Sequence, residues 1–383
     1  VNRELIGAVA ADTDRRLHRL LDTRVNPGAA ARDAAAAPLP AELLHEAARH
    51  GLFHCALPTD VCTGRGFAPV RWGLVLEHIG YRCTDLSFPL LVYLTAGTIR
   101  RLHHDQRTDL LEPLSDGGRL PLIGFAYTEQ RDPFDFRGSL TRHGDTITVT
   151  TEKSIVAGAR ILDAFLTYVP DAQGRLTAVL LHRTDPGVSI APLAVSGFRS
   201  AGFGTVRAAD TAVPCDRIVD TDGLAHAQRI LNAEAAFFVA APTGRMRAIA
   251  EACAMHVAAT ERHDTPLADY PNVQSLLGRM HATVESCRAT LYQALEAYGE
   301  DDSLWSPLSW IAKYTVGQHA LSVAAMAQRL TGTQGFLDTS PCARHLRDFS
   351  GLLAGGNPQE KVEIDLGVHL TQTIRPTLRA PGE

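Results

Sequence analysis

The chain has 383 residues, of which 45% are hydrophobic and 21% charged, with a formal net charge of −5. This length can form two or three packed units around a large core, and the composition excludes a disordered chain. The weak negative charge leaves no basic footprint for nucleic acid, and no apolar run reaches the length of a membrane span.

Residues 1–118 are predicted to form an α-helical domain. Apolar residues recur at three- and four-residue steps over 5–21, 41–51, 68–79 and 88–102. The Pro/Ala-rich stretch 26–40 between the first two helices reads as a loop or mobile segment. Residues 119–221 change period. Runs rich in β-branched and aromatic residues at 146–150, 164–169 and 177–181 are separated by turn signals at 143–145 and 171–174. They predict a middle antiparallel β domain. Residues 222–383 are predicted to form a C-terminal bundle with long helices over 233–262, 272–299 and 306–332. Pro266 and Pro271 separate the first from the second, and Ser306-Pro307 suits the N-cap and first position of the third. The fold class expected is α+β, multidomain.

Seven cysteines are dispersed without a Cys-x-x-Cys pair, which reads as reduced thiols. With a start (Val1-Asn2-Arg3-Glu4) unlike a signal peptide, this predicts a cytoplasmic location. His103-His104-Asp105-Gln106 reads as a solvated turn, and no metal site is expected. Only Lys153, Lys313 and Lys361 depart from arginine among the basic residues.

Several stretches, in order, resemble the acyl-CoA dehydrogenase superfamily. They are Leu57-Pro58 to Gly66 followed by Val75-Leu76-Glu77-His78-Ile79-Gly80, then Phe125-Ala126-Tyr127-Thr128-Glu129, then Phe203 to Pro214. Gly335, Pro341, Arg344, Arg347 and Asp348 complete the set. The resemblance implies a flavoprotein oxidoreductase with FAD as cofactor and an acyl thioester on CoA or a carrier protein as substrate. It also implies a homodimer or homotetramer. By the same resemblance Phe125, Tyr127 and Thr128 lie by the flavin, as do Ile155 and Ala157 in the strand Ile155-Val156-Ala157-Gly158. Arg262, Gln328, Arg329 and Gly332 are the residues available for a partner subunit's FAD.

Departures from the family pattern are as informative. Gln130 to Asp135 replaces a Gly-Ser-Asp turn near the substrate. Thr260 stands where an arginine usually meets the FAD pyrophosphate, and Arg262 reaches that place only with a helix rotation. An arginine–phosphate contact contributes roughly 1.5–3 kcal/mol, so its loss weakens FAD about tenfold to a hundredfold.

The family places its catalytic carboxylate at one of two sequence positions. The register from Asp348 puts the usual one at Gly356, which has no side chain to serve. The register from Gly244 puts the other at Glu234, and the pattern Glu234-x₇-Pro242-x-Gly244 resembles the subclasses with the base on this helix. Ala235 replaces the arginine that usually follows. Glu234 is therefore the candidate catalytic base, the alternative being a solvated first-turn acid favoured by the helix dipole. Two other readings stand beside it. One is a flavin monooxygenase of the same fold, which Asp269, Pro271, Val273 and Gln274 resemble. The other is a family member repurposed for a non-redox reaction, or a flavin-poor partner subunit of a heteromeric dehydrogenase.

Overall fold

The helix Arg15–Leu20 (α1) winds on into a wider turn over Leu21–Val25, and Leu17, Leu20, Leu21 and Val25 enter the main core. A computed structural model describes residues 15–58, 66–102, 119–129, 135–298 and 302–374. The expectations for 5–14, 103–106, 130–134 and 299–301 lie outside the described residues. Inside the stretch read as a loop stands a helix, Ala29–Ala35 (α2), closed by left-handed Ala36 (φ 46°). Its alanines give it the helical propensity that the neighbouring prolines obscured. Ala41–Arg49 (α3), Pro69–Arg82 (α4) and Ser87–Arg100 (α5) follow as the periodicity predicts.

Two four-stranded sheets occupy the middle. One has the order β1 (Ile123–Ala126), β4 (Ala164–Pro170), β5 (Leu176–His182), β8 (Ile218–Asp220). The other runs β2 (Ser139–His143), β3 (Thr146–Val156), β7 (Gly204–Pro214), β6 (Val188–Pro192). All ladders are antiparallel except β1–β4, which is parallel. Val149 and Val213 from one sheet meet Val169, Val179 and Leu181 from the other in a separate small core. Leu166 and Tyr168 of β4 face the main core instead, so this strand is buried on both faces and lacks polar alternation.

The C-terminal region is helical: Gly223–Ala233 (α6), Ala235–Ala259 (α7), Pro271–Glu296 (α8), Asp302–Thr331 (α9), Thr333–Phe336 (α10), Pro341–Ala354 (α11) and Gln359–Ile374 (α12). The helix expected over 233–262 is interrupted at Glu234 and stops at Ala259. Thr260 is extended, and Glu261–Arg262 (β9) pairs with Thr265–Pro266 (β10) around left-handed His263 and Asp264. The helix expected from Ser306 begins at Asp302, with Pro307 inside it rather than at its first position.

The contact of α4 with α7 fixes the bundle against the N-terminal helices. A Cβ on Gly80 would stand 1.9 Å from the Ala241 carbonyl oxygen, and one on Gly244 would stand 1.9 Å from that of Glu77. The two helices cross backbone to backbone, which only glycine permits at these positions. Buried Glu77 adds a second tie, accepting from Arg288 Nε (2.7 Å) and the Tyr292 hydroxyl (2.6 Å) on α8. Among the described residues no helix is long and apolar enough to cross a membrane.

Candidate active site

Glu234 sits at the joint between α6 and α7. Its N–H donates to the Ile230 carbonyl (3.1 Å), closing α6, and its carbonyl accepts from the Phe238 N–H (3.0 Å), opening α7. The Ser309 hydroxyl on α9 accepts the Ala236 N–H at 2.8 Å, satisfying a first-turn donor that has no partner within the helix. The joint turns the Glu234 side chain inward, and it is fully buried. It is not the solvated first-turn acid of the alternative reading.

Two arginines at the end of α5 meet this carboxylate. Arg100 Nη2 donates to Oε2 at 2.5 Å, while Arg101 Nη2 stands 3.5 Å from Oε1. Arg100 is 5% exposed. It donates to the Ala56 carbonyl at 2.8 Å, and its guanidinium lies 4.4 Å from the Phe67 ring centroid and 5.5 Å from that of Phe237. Arg101 is 22% exposed, and its contact lies at the limit of a hydrogen bond. One carboxylate oxygen is thus anchored and the other keeps lone pairs. The arginine missing from sequence position 235 is supplied in space from another helix. Neither Arg100 nor Arg101 was found from the sequence, because helical spacing shows which residues share a face but not which helix lies opposite.

The carbonyl of Arg101 accepts from His226 Nε2 (3.0 Å), which leaves His226 Nδ1 to accept the Tyr168 hydroxyl (2.9 Å). This chain joins α5, α6 and β4 behind the ion pair. Burial lowers the His226 pKa, keeping the ring neutral as that donor–acceptor pattern requires.

Glu234 continues one face of α7 through Phe238 to Ala241 and Pro242. Opposite runs a face of α5, where a Cβ on Gly97 would lie 3.3 Å from Glu234 Oε2. Tyr93 stands one turn earlier, its ring centroid 5.9 Å from that of Phe238. Burial, then the Glu234 charge, pushes the Tyr93 hydroxyl pKa up. The usual base position, Gly356 (φ 68°), is in the turn between α11 and α12, and a Cβ on its neighbour Gly355 would lie 3.1 Å from Phe238 Cζ. An aromatic ring stands beside the place where the more common family pattern carries its acid.

The expected flavin residues divide into two groups. Tyr127 is 7% exposed and stacks on half-buried Phe125 (centroids 5.7 Å apart, planes at 7°), with Tyr168 edge-on to both at 5.4 Å. These rings form an aromatic cluster in which Phe125 keeps a partly exposed edge. The next residue, Thr128, points outward, and its carbonyl accepts the Ser154 N–H (2.9 Å). That bond brings it beside Ile155, which is 55% exposed, and half-buried Ala157 follows in the turn just past the strand. An exposed hydroxyl next to an exposed aliphatic strand surface fits one face of a planar ring. Glu129 serves a different end. It is 8% exposed and accepts Lys153 Nζ (2.7 Å), Thr151 Oγ1 (2.9 Å) and the Arg137 N–H (2.7 Å). Lys153 also donates to the Tyr168 carbonyl (2.6 Å), and burial lowers its pKa to about 8.

The remaining expected residues lie elsewhere. Arg262 is exposed on the β9–β10 hairpin, not on a helix that could rotate it into place. Gln328 turns back to the Gly335 carbonyl (3.4 Å), while Arg329 is exposed and forms no ion pair among the described residues. Gly332 (φ 61°) opens α10 beside Phe336, which is 76% exposed. Among the described residues, no hydrogen bond or ion pair joins these groups to Thr128 or Ile155. A larger hollow of about 340 Å³ on β3 and β7, lined by Glu129, Arg137, Glu152 and Arg207 among others, carries offsetting charges of both signs.

Family patterns for the acyl-CoA dehydrogenase N-terminal domain and C-terminal domain match residues 12–118 and 221–359. The chain belongs to the acyl-CoA dehydrogenase family. A probable acyl-CoA dehydrogenase of Bacillus subtilis (strain 168) is 21% identical over 272 residues, covering 68% of this chain but only 45% of that protein. The prolyl acyl carrier protein oxidase AnaB superposes with a TM-score of 0.86 at 18% identity, covering 97% of this chain and 99% of AnaB. A glutaryl-CoA dehydrogenase from Mycobacterium smegmatis, solved in complex with FADH2, superposes with a TM-score of 0.85 at 19% identity, covering 97% and 95%. At these identities the two structures share the fold of this acyl-CoA dehydrogenase family member.

Proposed function

We propose that this chain is a flavin-dependent dehydrogenase of an acyl thioester, carried on CoA or on a carrier protein, with Glu234 as the base that removes the α proton. The observation that carries the reading is the buried carboxylate at the α6–α7 joint, anchored through Oε2 to Arg100 while Oε1 stays loosely held. The proton beside a thioester carbonyl is weakly acidic, so its removal needs a base fixed against the carbon with water excluded. The helix joint and Arg100 provide the fixing, and burial among Phe237, Phe238 and Tyr93 provides the exclusion. Bound FAD would supply the hydride acceptor, with Thr128, Ile155 and Ala157 beside its ring. Arg329 and Gly332 would serve the rest of a partner subunit's cofactor in a homo-oligomer. The replaced segment Gln130 to Asp135 and the carrier-protein neighbour AnaB support an unusual, biosynthetic substrate.

Absorbance spectra with and without added FAD, followed by anaerobic addition of acyl thioesters, test the proposal. A flavin spectrum that bleaches with a thioester is expected; a protein that takes up no FAD contradicts it. The ion pair favours one competing reading, in which Glu234 is a structural anion and the chain is a monooxygenase of the same fold. That reading predicts oxygen uptake in step with substrate when a flavin reductase is supplied, and the dehydrogenase reading predicts none.

A further inference from the structure

One turn from Glu234 along α5 and α7 lies a small hollow whose lining includes two rings, Tyr93 and Phe238. Along α7, Glu234, Phe238, Ala241 and Pro242 recur at steps that put them on one helical face. Across from them on α5, Leu90, Tyr93, Gly97 and Arg100 do the same. The end holding Glu234, Arg100 and Arg101 is polar. The other end, between Leu86, Leu90, Phe198 and Pro242, is apolar, and Tyr93 and Phe238 stand between the two.

The apolar end is narrow. Its free space is about 10 Å³, at the threshold for one water molecule. A run of several methylenes cannot enter without displacing a ring, and both aromatic walls are backed. Phe238 leans on the Gly355 turn. Phe198, held left-handed (φ 51°), donates its N–H to Asp348 at 2.6 Å and packs over Gly351.

We infer that the Tyr93–Phe238 ring pair is a specificity barrier that restricts the site to short-chain acyl groups and shuts out fatty-acyl chains. The inference rests on the thioester reading above and names the class of acyl group for that site. Phe238 and Tyr93 act here as specificity residues, setting what reaches Glu234 rather than handling the proton.

The test uses unreactive S-alkyl pantetheine thioethers, propyl and octyl, with the full chain loaded with FAD. Affinities are measured by calorimetry for the native protein, Phe238→Ala and Phe238→Leu. The native protein is expected to bind octyl no tighter than propyl. Phe238→Ala is expected to raise the octyl-to-propyl affinity ratio at least about tenfold, and the milder Phe238→Leu, which keeps an apolar side chain in case alanine unfolds the protein, to raise it less. Native protein that already prefers octyl tenfold, or variants that leave the octyl-to-propyl ratio unchanged, would overturn the barrier. The two readings separate cleanly. If the ratios behave as expected but no thioester bleaches the flavin, the dehydrogenase assignment fails and the barrier stands. If octanoyl and propionyl thioesters bleach native flavin equally fast, the barrier fails and the dehydrogenase assignment stands.

Discussion

Replacing Glu234 with glutamine removes one charge from a buried pair and leaves the other behind. Glu234 is fully buried and the Arg100 side chain is 5% exposed, so the remaining guanidinium has little water to turn to. Breaking a buried ion pair from one side costs about 3–5 kcal/mol. Two features reduce this: glutamine keeps an oxygen for the Arg100 N–H, and the Ala56 carbonyl and the rings of Phe67 and Phe237 remain in place. Arg101, 22% exposed, resolvates and changes the sum by less than about 1 kcal/mol. The expected loss for Glu234→Gln is therefore about 2–4 kcal/mol. Arg100→Met leaves the carboxylate alone and should lose as much or more. The double variant has no stranded charge and puts a flexible apolar side chain against two rings, so it should be more stable than either single variant. Thermal unfolding midpoints of the four proteins, at equal concentration and flavin content, complete the cycle. Additive losses, or a Glu234→Gln midpoint within about a degree of native, would refute the buried-pair account.

The crossing of α4 and α7 predicts that Gly244→Ala destabilises by about 3 kcal/mol or more, since the new methyl meets the Glu77 carbonyl. Gly278→Ala, on an exposed helical face with nothing within 4 Å, should stabilise by about 0.5–1 kcal/mol. Urea midpoints of the pair check both signs. Burial raises the Asp348 pKa from 3.8 to about 7 against the opposing Phe198 N–H bond, with Asp85 adding to the rise and Arg344 reducing it. The folded state thus holds this proton where the unfolded chain has lost it. The resulting stability is complete at low pH and is lost as pH rises through about 7. Asp348→Asn keeps an acceptor for Phe198 and cannot ionise, so its unfolding midpoint should fall less than the native one between about pH 5 and pH 8.

The order of helices, strands and helices was legible because the period of the apolar residues changes at both boundaries. Gly80 and Gly244 were legible as motif members, and the structure gives them a physical reason in the close crossing of α4 and α7. The helix at 29–35 was obscured by prolines at 27, 38 and 40 that flank it without entering it. Glu234 could be located by register, but its burial could not, because the joint that turns it inward includes the bond from the Ala236 N–H to Ser309, seventy-three residues further along. Arg100 was hidden for the same reason: its partner lies 134 positions along the chain.

Proton removal by Glu234 is measured most directly by exchange at the thioester α carbon, without requiring turnover. A short acyl thioester deuterated at that position is incubated anaerobically with FAD-loaded protein, and loss of label is followed by mass spectrometry. Native protein should wash the label out, and Glu234→Gln, with flavin absorbance retained, should do so slower by roughly 10²–10⁴. Equal washout by native protein and Glu234→Gln would contradict the assignment of Glu234 as the base.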